Sequence, residues 1–192
     1  MIRASAMKRI ARFGFVCVLV PLAVGIAIAK AQTAAPAEAP AMLNAVDYNF
    51  VGQANLGAPF QVGSGRIAET KSASAAIRSY AHLMVTSHIP VVEALDGILQ
   101  RKNVTPSNTL LHGAYDAMLF TLKADHGPAF DRNYVNGQVE YQMGNAALFQ
   151  QEIENGSDPD LKQFARETLP KIEDHLQRAL KLAGTASAGS TD

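Results

Sequence analysis

The chain has 192 residues, a length that suits one compact domain with tails rather than two domains. Its 17 basic and 17 acidic residues balance, but five basic and no acidic residues precede Gln32, so the remainder holds 12 basic against 17 acidic residues and has a net charge of −5. This excess of acid excludes the clustered positive charge that phosphate backbones require, and nucleic acid is not an expected partner. The single cysteine, Cys17, excludes an internal disulfide and a thiolate zinc site.

Residues 1–31 have the pattern of an export signal. A basic stretch from Arg3 to Arg12 precedes an apolar run from Phe13 to Ala29, and Ala29-Lys30-Ala31 is a small-x-small cleavage site. We therefore expect a mature protein that begins near Gln32, resides in the periplasm or cell envelope and has no membrane attachment after cleavage. Retention of the segment as an anchor is the alternative, because the apolar run is at the lower end of what spans a bilayer.

Two further segments lack any apolar period. Residues 32–42 are rich in alanine and proline, which predicts an extended linker. Residues 184–192 are small and polar, which predicts a disordered tail. The folded domain is therefore expected over residues 43–183.

Apolar residues recur within this domain at helical spacing, and no alternating run is bounded by turn signals at both ends, so helices are expected throughout. Ser107 after a proline, Gly127-Pro128 and Asp158-Pro159 are typical helix starts, and Asn155-Gly156 is a typical helix end. The pattern predicts an all-α, up-down four-helix bundle with a short additional helix between the second and third long helices. The five helices are expected over residues 43–71, 73–102, 107–123, 128–155 and 158–183.

Each of the four long helices has one large polar residue on its inward, 3-4-spaced face: Gln61, His88, Gln142 and His175. Counted from the short turns of two antiparallel hairpins, Gln61 lies level with His88, and Gln142 with His175, to within about 6 Å. The four side chains are therefore predicted to form one polar layer inside the bundle.

This layer has two interpretations. Two core histidines bonded to two glutamines would satisfy the rule that buried polar groups find partners. A metal or ligand site between facing helices is the other interpretation. Dinuclear iron sites of the ferritin kind use Glu-x-x-His pairs, and none of the residues three positions before the five histidines is acidic. The sequence therefore lacks the iron signature.

Two prolines lie close to the layer, Pro59 beside Gln61 and Pro90 beside His88. A proline inside a helix frees the carbonyl four residues earlier and bends the helix. Two such bends would open a small cavity with unpaired carbonyls beside the layer. Alternatively, Pro59 divides the first helix into two around Gly57.

Four segments of the domain form a recognisable set: Arg66-Ile67-Ala68, Tyr80 to His88, Ala129 to Tyr134 and Thr168 to Leu176. The more specific parts are a Phe-Asp-x-x-Tyr stretch and a Leu-Pro-x-x-x-x-His stretch. With these segments the chain resembles the bacterial, exported, ferritin-like family known as domain of unknown function 4142, over nearly all of residues 44–182.

The resemblance implies a four-helix bundle with a short extra helix and no established activity. His175 matches the family pattern, but Gln61 stands where relatives usually have an acid, Ser87-His88 where they have Asp-His, and Gln142 where they have a histidine. Neutral amides are poor substitutes for these ligands. Iron is therefore not expected, and any zinc or copper bound by His88 and His175 is expected to be weakly held.

The sequence contains no legible nucleophile motif, catalytic triad or phosphate-binding loop, so we do not expect an enzyme. The primary expectation is an exported, non-catalytic helical bundle with a ligand-binding or stress-related role. The alternatives are a degenerate metal-binding protein that uses His88 and His175, and an interaction module that docks on an envelope protein.

Overall fold

The computed structural model describes residues 42–106 and 109–188, and this part of the chain is all-helical. The predicted export signal, nearly all of the linker and the predicted cap Ser107 lie outside the described residues. The helices are α1 (Ala45–Lys71), α2 (Ala75–Lys102), α3 (Thr109–Ala124), α4 (Gly127–Asn155) and α5 (Pro159–Ala188).

Most helix ends lie within two residues of their predicted positions. Helix α5 is the exception: it continues to Ala188 instead of ending at Ala183, so the first five residues of the predicted tail are helical. These residues contain two alanines and no proline, and nothing after Gly184 forces the backbone out of a helix.

Side-chain caps fix three of the helix starts. Asn44 accepts hydrogen bonds from the backbone of Val46 and Asp47, and the Asp47 side chain accepts one from the Asn44 backbone, which completes a capping box. Ser74 caps α2, and Asp158 caps α5 through the backbone N–H groups of residues 160 and 161.

The long helices pair as α1 with α2 and α4 with α5, and contacts of α1 with α4 and of α2 with α5 join the two pairs. Segments of three residues, 72–74 and 156–158, connect the members of each pair, so both pairs are antiparallel hairpins. Helix α3 packs mainly against α1, where the Tyr115 ring stacks on Phe60 with centroids 4.7 Å apart. These contacts define a helical bundle.

The apolar core consists of two clusters at different heights. The first surrounds Phe50, Phe149 and Phe164, and the second surrounds Tyr80 and Tyr134. On each long helix, the core residues before the predicted polar residue belong to one cluster, and those after it belong to the other. The polar layer therefore divides the core.

Prolines do not interrupt the helices. Helix α1 is continuous through Pro59 and α2 through Pro90, so the alternative in which Pro59 divides the first helix around Gly57 is wrong. Both proline rings are exposed, so water can reach the carbonyls of Asn55 and Thr86 that the prolines free.

None of the helices in the described part of the chain combines the length and the apolar character that a bilayer crossing requires.

Candidate functional site

The two inward histidines meet in the core. His88 of α2 and His175 of α5 have ring centres 5.2 Å apart, with ring planes inclined by 34°, and each residue is 4% exposed. They come together because both occupy the inward face of their helix at the height where the two apolar clusters separate. Counting heights paired each histidine with a glutamine, whereas in the structure the two histidine rings lie beside each other.

The protonation of His88 follows from its contacts. Its Nδ1 lies 2.9 Å from the carbonyl oxygen of Met84, and a carbonyl only accepts hydrogen bonds, so Nδ1 carries the proton. Burial lowers the pKa of His88 to about 4, which leaves the ring neutral at pH 7. Its Nε2 then holds a free lone pair, the state in which histidine binds metals.

His175 is less satisfied. Its Nδ1 is buried and has no hydrogen-bonding partner within the described residues. Burial, followed by repulsion from His88, lowers the pKa of His175 to about 4 as well. A buried nitrogen without a partner destabilises the fold by roughly 1–3 kcal/mol, so this atom calls for a ligand or a water molecule.

A cavity of about 20 Å³ adjoins both rings. This volume holds one water molecule or one ion, since a water requires roughly 10–15 Å³ on the same scale and pockets for organic ligands usually exceed ~300 Å³. We call this space the histidine cavity. Its polar lining consists of Ser87, His88, Tyr141, Asn145, Thr168, Lys171 and His175.

The two glutamines of the polar layer are buried but do not line the histidine cavity. Gln142 donates to the sulfur of Met84 at 3.4 Å. Its Oε1 and both side-chain polar atoms of Gln61 have no hydrogen-bonding partner in the part of the chain that the structure describes. No hydrogen bond between described residues joins a histidine to a glutamine. The mutual satisfaction required by the core interpretation is therefore not seen.

A hydrogen-bonded chain that sequence reasoning missed runs beside the layer. The Tyr80 hydroxyl lies 3.3 Å from the His175 carbonyl and 3.4 Å from Gln138 Oε1, and Gln138 donates to Ser64, which donates to the Gln61 carbonyl. Each of Tyr80 and Gln138 is adjacent in the sequence to a residue that the 3-4 spacing predicts to face inward. A wider apolar stripe, as four-helix packing requires, would have included them.

A second polar group, also missed, lies at the end of the bundle where the hairpin turn between α4 and α5 meets the start of α1. Asp47, Glu152 and Asp158, which we call the acidic cluster, are completely buried. Burial alone would raise the pKa of Asp47, but hydrogen bonds from Ser157, Asn44 and Asp158 outweigh it and lower the pKa. Asp158 pairs with Lys102 at 2.7 Å.

Glu152 is the unusual member of the acidic cluster. Its two oxygens have no donor among the described residues, and burial together with the adjacent Asp47 raises its pKa to about 8. The carboxyl group packs over Gly156, where a Cβ would lie 2.2 Å from Oε1. At neutral pH Glu152 is therefore largely protonated, which avoids a second buried negative charge beside Asp47.

The buried polar residues provide few ligands for a metal ion. Among the described residues, no group of three or more His, Cys, Asp and Glu side chains has the geometry to hold a metal ion. Glu152 is ten residues from Gln142 along α4, about 15 Å, so the acidic cluster supplies no ligand to the histidines. The site offers two neutral imidazoles and no anion, a set that does not fit a pair of irons.

Comparison with known proteins identifies a family for this chain. The family model described as domain of unknown function (DUF4142) matches residues 32–182. No curated protein and no solved structure matches the chain.

Proposed function

Because this chain belongs to the DUF4142 family, which is defined without a known function, we propose its role from the site: it is an exported, non-catalytic helical bundle that holds a single zinc or copper ion between His88 and His175. The observation that carries the proposal is the pair of buried, neutral imidazoles beside a cavity of single-ion size.

The separation of the rings supports coordination to one ion. A nitrogen lies ~2.0–2.1 Å from zinc and the ring centre about 1.1 Å further, so two imidazoles on one tetrahedral ion have centres about 5.2 Å apart. The His88 and His175 centres are 5.2 Å apart. The Met84 carbonyl fixes the His88 tautomer, as carbonyls commonly do for histidine ligands.

Binding is expected to be weak, in the micromolar range. Two protein ligands leave two of the four tetrahedral positions without a protein donor, whereas structural zinc sites supply four protein ligands. Iron is not expected to bind in stoichiometric amount, because the carboxylates that bridge paired irons are absent from the cavity lining.

Three further parts of the proposal rest on different observations. Export is supported by the sequence of residues 1–31 and by the family match, which begins at Gln32, directly after the predicted cleavage site. The ferritin-like arrangement is supported by two antiparallel hairpins with a polar layer in the core. The lack of catalysis is supported by the sequence, which contains no legible nucleophile motif, catalytic triad or phosphate-binding loop.

Titration calorimetry of metal-free protein, purified without a histidine tag, tests the function. We expect one Zn²⁺ per chain with micromolar affinity, lost in His88→Leu and in His175→Leu. The control is His112→Ala, which removes an exposed histidine and leaves binding unchanged. Binding that survives both leucine variants, or no binding of zinc or copper by the wild type, contradicts the proposal.

Docking of an apolar segment of another envelope protein is a second candidate function. Phe120 on α3 is 74% exposed, Met118 is also exposed, and a groove of about 280 Å³ lies beside Met118 between α3 and α4. Exposed aromatic side chains of this kind often mark interfaces. Photocrosslinking in cells from position 120, with exposed position 132 as control, should give one discrete adduct from position 120 alone.

A further inference from the structure

We infer that the histidine cavity selects copper in its monovalent state over divalent ions. The inference deepens the proposed function and depends on it. It rests on the charge of the cavity lining, on the type of donor atoms and on the small number of ligands.

The charge of the cavity lining is the first observation that favours a monovalent ion. Lys171 is the one charged residue of the lining, and it is positive. Asp174, the nearest acid along α5, is exposed and already paired with Arg178 at 2.7 Å. Since the desolvation penalty of an ion grows with the square of its charge, a divalent ion is penalised about fourfold more than a monovalent one where no anion compensates it.

The donor atoms of the cavity lining are the second observation that favours a monovalent ion. Imidazole binds both zinc and copper, and the sulfur of Met84, which accepts a hydrogen bond from Gln142, is not part of the cavity lining. The metal donors that the lining offers are therefore two neutral imidazoles. Carboxylates, which hold harder divalent ions, are absent from the lining.

The small number of protein ligands is the third observation that favours a monovalent ion. Monovalent copper is stable with two or three ligands, and a three-coordinate ion places two imidazole centres about 5.5 Å apart by the bond lengths used above. The 5.2 Å between the His88 and His175 centres lies near both the tetrahedral and the three-coordinate value, so the number of protein ligands, not the spacing, distinguishes the two ions. Two histidines therefore come nearer to completing a monovalent copper site than a tetrahedral zinc site.

The test compares the affinities of the full mature protein for Cu⁺ and Zn²⁺. Cu⁺ is titrated without oxygen against a coloured chelator, and Zn²⁺ by calorimetry. We expect Cu⁺ to bind at least ~100-fold more tightly than Zn²⁺, and both to be lost in His88→Leu. Equal affinities, or tighter binding of Zn²⁺, with the histidine dependence retained, overturn the selectivity and leave the proposed function standing.

A charge variant tests the cause of the selectivity. Asn145 lines the cavity, and Asn145→Asp adds a carboxylate of nearly the same shape. This change should tighten Zn²⁺ binding at least ~10-fold and narrow the preference for Cu⁺, while Asn49→Asp, on the exposed face of α1, should leave both affinities unchanged. An unaltered preference in Asn145→Asp refutes the charge argument. Failure of wild-type protein to bind either ion refutes the proposed function itself.

Discussion

Replacing Glu152 by Gln should change how stability depends on pH. The pKa of Glu152 is about 8 in the folded protein, against 4.5 for an ordinary glutamate. Between these values the folded state retains a proton that the unfolded state has released. The free energy of unfolding therefore falls as pH rises through this window, by at most ~1.4 kcal/mol per pH unit.

The magnitude is best taken as a difference between two proteins. The amide that Glu152→Gln introduces has the shape of the protonated acid and is uncharged at every pH. Other titrating groups contribute equally to both proteins, so the advantage of Glu152→Gln over wild type should grow by about 2.5 kcal/mol between pH 5.5 and pH 7.5.

Urea unfolding at three pH values measures this difference, and Glu154→Gln on the exposed face of the same helix is the matched control. The control should keep a constant offset from wild type. If the advantage of Glu152→Gln stays constant across the window, Glu152 is ionised in the folded protein and our account of the acidic cluster is wrong.

Three other predictions concern the histidines, a glycine and processing. The pKa values of His88 and His175 are lowered to about 4, so metal-free protein should lose stability as pH falls from 6.5 towards 4. In thermal unfolding, the double variant His88→Leu, His175→Leu should lose less stability than wild type over that pH range. Gly156→Ala should destabilise the folded protein by about 2 kcal/mol, because the new Cβ meets the Glu152 carboxyl group. Gly144→Ala, in open space within α4, should stabilise it by about 0.5–1 kcal/mol. Equal effects of the two variants in chemical denaturation would contradict this prediction. Mass spectrometry of exported protein should find a mature N-terminus at or near Gln32, and intact protein in the membrane fraction would show that the segment is an anchor.

Periodicity and turn chemistry were sufficient to predict the helices of this protein. Local rules apply there: Gly127-Pro128 begins α4 and Asn155-Gly156 ends it, as predicted. The helical extension of α5 to Ala188 was missed because composition alone assigned a tail to residues that also have helix propensity. The burial of Gln61, His88, Gln142 and His175 also follows from spacing, since one polar residue in an apolar stripe has no route to solvent.

Only the tertiary structure decided which of these buried groups meet. Spacing along a helix gives height and face but not the rotation and separation of neighbouring helices, so it did not reveal that His88 and His175 share a cavity that the two glutamines do not line. The acidic cluster was beyond sequence reasoning for the same reason. Asp47 and Asp158 lie 111 residues apart in the chain, and each has an ordinary role as a helix-cap residue until the hairpin turn buries them beside Glu152.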